Sequence, residues 1–256
     1  MKEAAFRRLV WTHYKKHGRH DLPWRKTHNL YKILVSEVML QQTQVERVIP
    51  FYTKFIKQFP TAKRLAVAPL SEVLKEWQGL GYNRRAKMLH QAVRELAGRK
   101  KFTVAGLEAL PGVGPYTARA VAAFAYNQDV VFVETNIRTA VIHHFFPKKK
   151  KVSDAEIENI LSRLRQGSDE PREWYSALMD YGAYLKKSGV KLNAKSKTYA
   201  KQSKFAGSLR EARGAILRAH TKGVTSHRSL TSLLGPSRMA QMKKALEALI
   251  QEGLLT

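Results

Sequence analysis

The chain has 256 residues, enough for one large domain or a domain with a small companion, and carries 46 Lys and Arg against 20 Asp and Glu. The net charge of +26 and pI near 10.3 exceed what solubility requires and point to a polyanion, most simply nucleic acid. Zero cysteines exclude disulfides, thiol chemistry and Cys-ligated metals. No apolar run approaches the roughly 18 residues of a spanning helix, and MKEAAFRRLVW has no signal-peptide core. The expectation is a soluble protein with no membrane partner, cytoplasmic (at a bacterial nucleoid) or otherwise intracellular.

Residues 3 to 17 place Phe6, Leu9, Val10 and His13 near helical spacing, which predicts an amphipathic helix ending at Gly18. LPWR follows as a loop in which Trp24 can serve as core. YKILVSEVMLQQTQVERVIPFYTKFIKQF predicts an apolar helix to about Val48 and a second one after Pro50. Glu37 is its odd member. Among inward-facing Ile33, Leu34, Val38, Leu40 and Val45 a carboxylate has its charged form disfavoured, which suits a group that must donate a proton near neutral pH. The alternative is a partly exposed Glu37 paired with a lysine such as Lys32. Gln41, Gln42 and Gln44 form a polar cluster at the helix end. Residues 61 to 77 read as two short helices with Leu65, Val67, Leu70, Val73, Leu74 and Trp77 as core. GLGYNRRA at 79 to 86 is a Gly-rich turn into a helix, with Tyr82 at the turn and Arg84, Arg85 and Lys87 behind it. A ring flanked by cations suits insertion into, or stacking on, a nucleic acid; a tyrosine packed under the loop is the alternative.

LPGVGPYTARAVAAFAYNQDVVFVETNIR at 110 to 138 reads as a helix-hairpin-helix, with Pro111, Gly112 and Gly114 between an apolar helix end and a second helix from Tyr116 to Ala125. Glycines allow the backbone amides around Gly112, Val113, Gly114 and Thr117 to face a phosphate, although a plain turn between two helices has the same look. VVFVE leads into the helix TNIRTAVIHHFF, which Thr135 or Asn136 would cap, leaving Glu134 at its positive end, where an ionised carboxylate is favoured. PKKKK is a basic loop, SDAEIENILSRLRQG a capped helix and DEPREWYSALMDYGAYLKK an apolar-faced one. From Lys186 to Arg210 there are eight Lys or Arg and no acid, so 187–206 is a basic linker or a DNA-contacting loop. Residues 207–256 suggest three helices with a short final strand: either a winged helix whose recognition helix is PSRMAQMKKALEALI, or a plain helical cap.

LPW, SEVMLQQTQV, GLGYNRRA and the hairpin, in this order, resemble the MutY family of adenine-DNA glycosylases over roughly residues 6 to 186. The resemblance implies an all-α helix-hairpin-helix DNA glycosylase fold over 1–186, with the linker and the small unit after it. It implies a monomeric, monofunctional enzyme of base excision repair, hydrolysing the N-glycosidic bond of adenine opposite guanine or 8-oxoguanine in double-stranded DNA. By the same resemblance Glu37 is the general acid and Glu134 the carboxylate that stabilises an oxocarbenium-like cation, with Asn136 as a further catalytic residue and Asp129 as fallback. Tyr116 stands where the related endonuclease III enzymes place a nucleophilic lysine, so no Schiff base can form. Gln42 and Tyr82 enter the base stack, Arg84, Arg85 and the hairpin residues hold DNA, Trp24 lies near the target-base pocket, and a monovalent cation can sit at the hairpin carbonyls. The chain departs from the family in three places. Glu134 replaces an aspartate, the four cysteines of an iron-sulfur cluster are missing, so no cofactor or metal is expected, and 207–256 replaces a larger, partly β domain that recognises oxidised guanine. The alternatives are a mismatch thymine or uracil glycosylase of the same superfamily, which needs no acid at Glu37, and a catalytically inactive DNA-binding protein.

Overall fold

A computed structural model describes residues 1–96, 98, 102–165, 170–198 and 202–255; residues 199–201 of the basic segment and 166–169 of the RQG stretch lie outside these. Among the described residues the regular structure is helical, with an isolated parallel bridge between Val152 and Ser196. None of these helices is long and apolar enough to cross a membrane.

Helix α1 (Glu3–His17) begins with an acid and ends with Lys15, Lys16 and His17, matching its dipole, and buries Phe6, Val10 and Tyr14 at four-residue spacing. Leu9, expected inside, lies off that stripe and is 37% exposed. Helices α2 (Leu30–Leu40) and α3 (Val45–Gln58) are divided at Gln41 to Gln44, not at Pro50, which lies inside α3. The reason is local: Gln42 takes a left-handed φ of 55° that no helix continues through, whereas Pro50 deprives only the Glu46 carbonyl in the exposed first turn. Then follow α4 (Ala62–Val67), capped by Thr61, α5 (Leu70–Trp77) and α6 (Arg84–Leu96). Val67, expected in the core, is 68% exposed. The hairpin is α7 (Val104–Glu108) and α8 (Pro115–Tyr126). After it come α9 (Thr135–Phe145), α10 (Asp154–Leu164) with a Ser153–Glu156 capping box, and α11 (Pro171–Lys187). The C-terminal helices are α12 (Leu209–His220), α13 (His227–Ser232) and α14 (Met239–Gln251).

The chain divides into two compact units, one of Met1–Leu34, Thr103–Glu108 and Gly114–Lys201, the other of Val35–Phe102, Ala109–Val113 and Gln202–Thr256. In the first, α11 runs against α9 so closely that a Cβ on Gly182 would lie 2.0 Å from the Asn136 carbonyl oxygen. Two buried charges on α11 tie down the loop after α1. Asp180 accepts hydrogen bonds from the Arg19 amide (2.8 Å) and from the guanidinium groups of Arg19 (2.7 Å) and Arg25 (2.7 and 2.9 Å). The Arg172 guanidinium donates to the carbonyls of Arg25 (2.7 Å), Thr27 (2.8 Å) and Phe124. Although burial opposes charge on Asp180, Arg25 and Arg19 outweigh it and hold its carboxyl below the usual range.

In the second unit α3 to α6 enclose Tyr52, Phe55, Phe59, Leu65, Trp77 and Leu89, while α12 to α14 enclose Ile216, Met242, Leu246 and Leu249, with Leu74 of α5 packed on them. The expected final strand does not form among the described residues. Gly253 turns the chain at a φ of 61°, and Leu254 and Leu255 fold back into that core, so the tail is helical and shows no wing.

Gly182→Ala should lower stability by about 3 kcal/mol, because the new Cβ meets backbone that can retreat only if α9 moves. A thermal melt reads this directly; an unchanged midpoint would contradict the close approach.

Candidate active site

In the second unit the candidate groups cluster at the end of α2. Glu37 is buried on this helix, 4% exposed. The last carbonyls of α2 need donors, and Arg85 supplies them: its Nη1 donates to the carbonyls of Val38 (2.8 Å), Met39 (3.0 Å) and Gln41 (2.5 Å), its Nη2 to the Thr43 hydroxyl and the Gly81 carbonyl (both 3.2 Å). Arg85 was expected on DNA. It is instead turned inward, its two terminal nitrogens bonded to protein acceptors while its buried Nε has none, and its pKa is pushed down to about 10 by burial, which still leaves it charged at neutral pH. Arg84 is exposed.

Three non-glycine residues among those described have left-handed backbones: Gln42 (φ 55°), Tyr82 (φ 49°) and Asn127 (φ 51°). Asn127 caps the end of α8, a place where asparagine commonly adopts this conformation. Glutamine and tyrosine gain no such local compensation, and each site stores strain of about 1–3 kcal/mol, a feature that clusters at functional positions. The Tyr82 ring lies 5.3 Å from the Arg85 guanidinium and 5.2 Å from that of Arg210.

The hairpin turn needs glycine at Gly112, where φ is 75° and a Cβ would meet the Met88 Cβ at 2.8 Å. Gln41 Nε2 donates to the Gly112 carbonyl at 3.5 Å. Val113 departs from the expectation of a phosphate contact: its side chain is buried and its amide donates to the Leu110 carbonyl (3.1 Å). Gly114 is the N-cap of α8 with an ordinary φ of −87°, and a Cβ there would meet no protein atom within 4 Å. Protein packing does not demand a glycine at Gly114; the approach of another molecule's phosphate to the positive end of α8 would. Thr117, also expected on DNA, turns its side chain into the core, leaving only its backbone for such a role.

In the first unit Glu134 is itself the N-cap of α9, where Thr135 or Asn136 was expected. Its Oε1 accepts from the amides of Asn136 (2.7 Å) and Ile137 (2.9 Å). The expected favouring of the ionised form is reversed in sign. Burial pushes the carboxyl above its usual value, while the two amides, Lys186 and Arg138 pull it back. Lys186 Nζ donates to Asn136 Oδ1 (2.8 Å), and burial lowers the pKa of its ammonium. Tyr116 is half-buried and meets Phe132 edge-on at 5.8 Å. Asp129 is exposed and paired with Arg165. Trp24 is 8% exposed, in the loop fixed by Asp180 and Arg172, so its ring packs as core. Each unit thus collects its own group: Glu37, Gln42, Tyr82 and the hairpin turn in one, Glu134, Asn136, Tyr116 and the start of α8 in the other.

An iron-sulfur cluster does not fit this chain, which offers no thiolate. The segment after α11 is tied back by backbone instead, from the Val152 amide to the Lys195 carbonyl (2.8 Å) and from the Lys197 amide to the Val152 carbonyl (3.0 Å).

The family model described as HhH-GPD superfamily base excision DNA repair protein matches residues 35–172. The chain belongs to the HhH-GPD superfamily. An adenine DNA glycosylase of Mycolicibacterium smegmatis is 36% identical over 93% of this chain and 89% of its own length. One from Mycobacterium tuberculosis is 39% identical over 68% of this chain and 59% of its own. Among solved structures a thermostable thymine-DNA glycosylase superposes with a TM-score of 0.64 at 26% identity, covering 75% of this chain and 94% of the other. An endonuclease III–DNA covalent intermediate gives 0.57 at 19% identity, over 72% and 86%, which shows the shared fold. In this HhH-GPD chain the residues that sequence reading missed are Lys186 and Arg210. Both lie in or beside the segment read only as basic, and composition carries no signal for which lysine or arginine turns inward.

Arg85→Lys should cost about 2–3 kcal/mol, since one ammonium cannot serve the acceptors that the planar fork spans. Denaturant unfolding measures it; a wild-type midpoint would show that the α2 carbonyls are satisfied without the fork.

Proposed function

We propose that the chain is a monofunctional DNA glycosylase that flips mispaired adenine, opposite guanine or 8-oxoguanine, out of double-stranded DNA and hydrolyses its N-glycosidic bond. The observation that carries this reading is Glu37, buried in α2 of a chain that is 36% identical to an adenine DNA glycosylase along nearly its whole length. From its buried place Glu37 would act as the general acid, giving a proton to a ring nitrogen of the purine as the C–N bond breaks. The bonding pair leaves with adenine, and the sugar becomes oxocarbenium-like. Glu134 would balance that positive charge in its ionised form, which the two α9 amides, Lys186 and Arg138 support against burial. Water then adds to the sugar carbon and loses a proton to solvent. Tyr116 carries no amine, so the abasic strand stays intact.

The strained Gln42 and Tyr82 would brace the gap left by the flipped base, and the start of α8 would take a phosphate. The excess of cations suits a DNA backbone and a place at the nucleoid. A second reading, a mismatch thymine or uracil glycosylase, draws on the 26% identical thymine-DNA glycosylase. A pyrimidine leaving group does not need an acid at a purine nitrogen, and Glu37 therefore favours adenine.

Single-turnover release from duplexes with adenine opposite guanine, 8-oxoguanine or cytosine, and thymine or uracil opposite guanine, tests this reading. Adenine should be released, and Glu37→Gln should bind DNA but lose about a hundredfold or more in rate. Release of thymine or uracil alone would move the assignment to the second reading.

The pH dependence tests Glu134. Since burial raises its pKa and Lys186 lowers it, Lys186→Met should raise it further, so that ionised Glu134 is present only at higher pH. The acid limb of the rate should shift to higher pH, so that the loss is largest on the acid side and is recovered as the pH rises. A limb that stays in place would remove Glu134 from the ionisation that controls the rate.

A further inference from the structure

Tyr82 is held by a part of the chain that the proposed chemistry does not use. Its left-handed backbone opposes the pose, so the ring must be secured by its surroundings. Arg210, in the first turn of α12, lies with its guanidinium 5.2 Å from the ring centre, and its Nη1 donates to the Tyr82 hydroxyl oxygen at 3.0 Å. Gln202 Nε2 donates to the same oxygen. Arg210 is itself braced, its Nη2 donating to the Ser203 carbonyl (2.6 Å), while Ser208 caps α12 by accepting from the Glu211 amide (3.3 Å) and α12 packs through Ile216 into the C-terminal core. Tyr82, Arg210 and Gln202 line a groove of about 960 Å³ within the second unit, together with Gln42, Arg84, Phe205 and Arg218. Gln42, the other strained residue, therefore faces the same groove as the tyrosine and its arginine.

From this geometry we propose that Arg210 is a positioning residue: with Gln202 it fixes the Tyr82 ring and occupies the acceptor side of its hydroxyl, so that the hydroxyl meets DNA as a donor. A phenol has one donor hydrogen and two acceptor lone pairs. Two donors arriving from the C-terminal unit use the lone pairs and leave the hydrogen for an acceptor on the nucleic acid, such as the ring nitrogen and carbonyl on the major-groove edge of a guanine-type base. The C-terminal unit becomes part of the lesion-reading surface through one side chain, without a domain that grips the base itself. This inference rests on the reading of Tyr82 as the side chain that enters the base stack.

The test is a double-mutant cycle on the full chain, with Arg210→Met and Tyr82→Phe. The readout is the ratio of affinities for two duplexes, one carrying a stable tetrahydrofuran abasic analogue opposite guanine, the other fully paired. Arg210→Met should lower this ratio about tenfold, by loss of a charge-assisted hydrogen bond and a ring contact. In the Tyr82→Phe background, where the hydroxyl is already missing, the same change should lower it only about twofold. Arg210→Lys keeps the charge and so the salt dependence, but should lose most of the ratio, because an ammonium cannot both cover the ring and fork to Ser203. Thermal melts matching wild type assign the losses to recognition; should Arg210→Met unfold, Arg210→Lys in both backgrounds completes the same cycle. Equal tenfold losses in both backgrounds would overturn the proposal, showing that Arg210 meets DNA directly while leaving the glycosylase reading intact. A Tyr82→Ala variant with a wild-type ratio would instead remove Tyr82 from the stack, and the proposal would fall with it.

Discussion

The guanidinium of Arg85 is the constraint on which the second unit depends. A helix end leaves carbonyls without partners, and a chain usually resolves this with a glycine in the left-handed region. At the end of α2 the left-handed position is Gln42, and the next helix starts at Val45. The donors come from α6, where Arg85 gathers the carbonyls of Val38, Met39 and Gln41. The same guanidinium contacts the rings of Trp77 and Tyr82. Glu37, Gln42 and Tyr82 are thereby referenced to one charged group, and a glutamine and a tyrosine that both sit at turns are set with the precision of a core.

The first unit solves a parallel problem with α11. Asp180 and Arg172 are buried charges, costly unless fully paired; Arg19 and Arg25 of the loop after α1 meet the first, and carbonyls of that loop and of Phe124 in α8 meet the second. With that loop fixed, the Gly182 face of α11 can press against the start of α9, and the lysine one turn further on, Lys186, reaches Asn136. Glu134 sits where the opposing effects meet. Dipole and cations favour its charge and burial disfavours it more strongly, which is the setting in which a neighbouring cation controls a carboxyl.

Much of this was legible in the sequence. The positions of α1 and of α8 to α11 follow from apolar spacing and from end signals such as Ser153 with Glu156, and the hairpin announces itself through Gly112 and Gly114. What escaped is physical in kind. Pro50 is a visible breaker, yet it deprives only the carbonyl of exposed Glu46 in the first turn of α3, whereas Gln42 carries no mark of the left-handed backbone that ends α2. Arg84 and Arg85 look alike, and only tertiary packing turns one inward. Glu134 was expected beside a cap and is the cap, its side chain folding back onto two amides. Arg210 meets Tyr82 across 128 residues of chain, a pairing that no local pattern encodes.

The strained backbones at Gln42 and Tyr82 set stability against activity. With a folded state worth about 5–15 kcal/mol in all, strain of about 1–3 kcal/mol at each site is a sizeable fraction of it. Glycine at either position would relax the chain and leave a more robust protein without the side chain that the strained backbone presents. Screens for thermal tolerance would therefore drift toward variants that melt later, and a library selected on folding alone would erase these two side chains first.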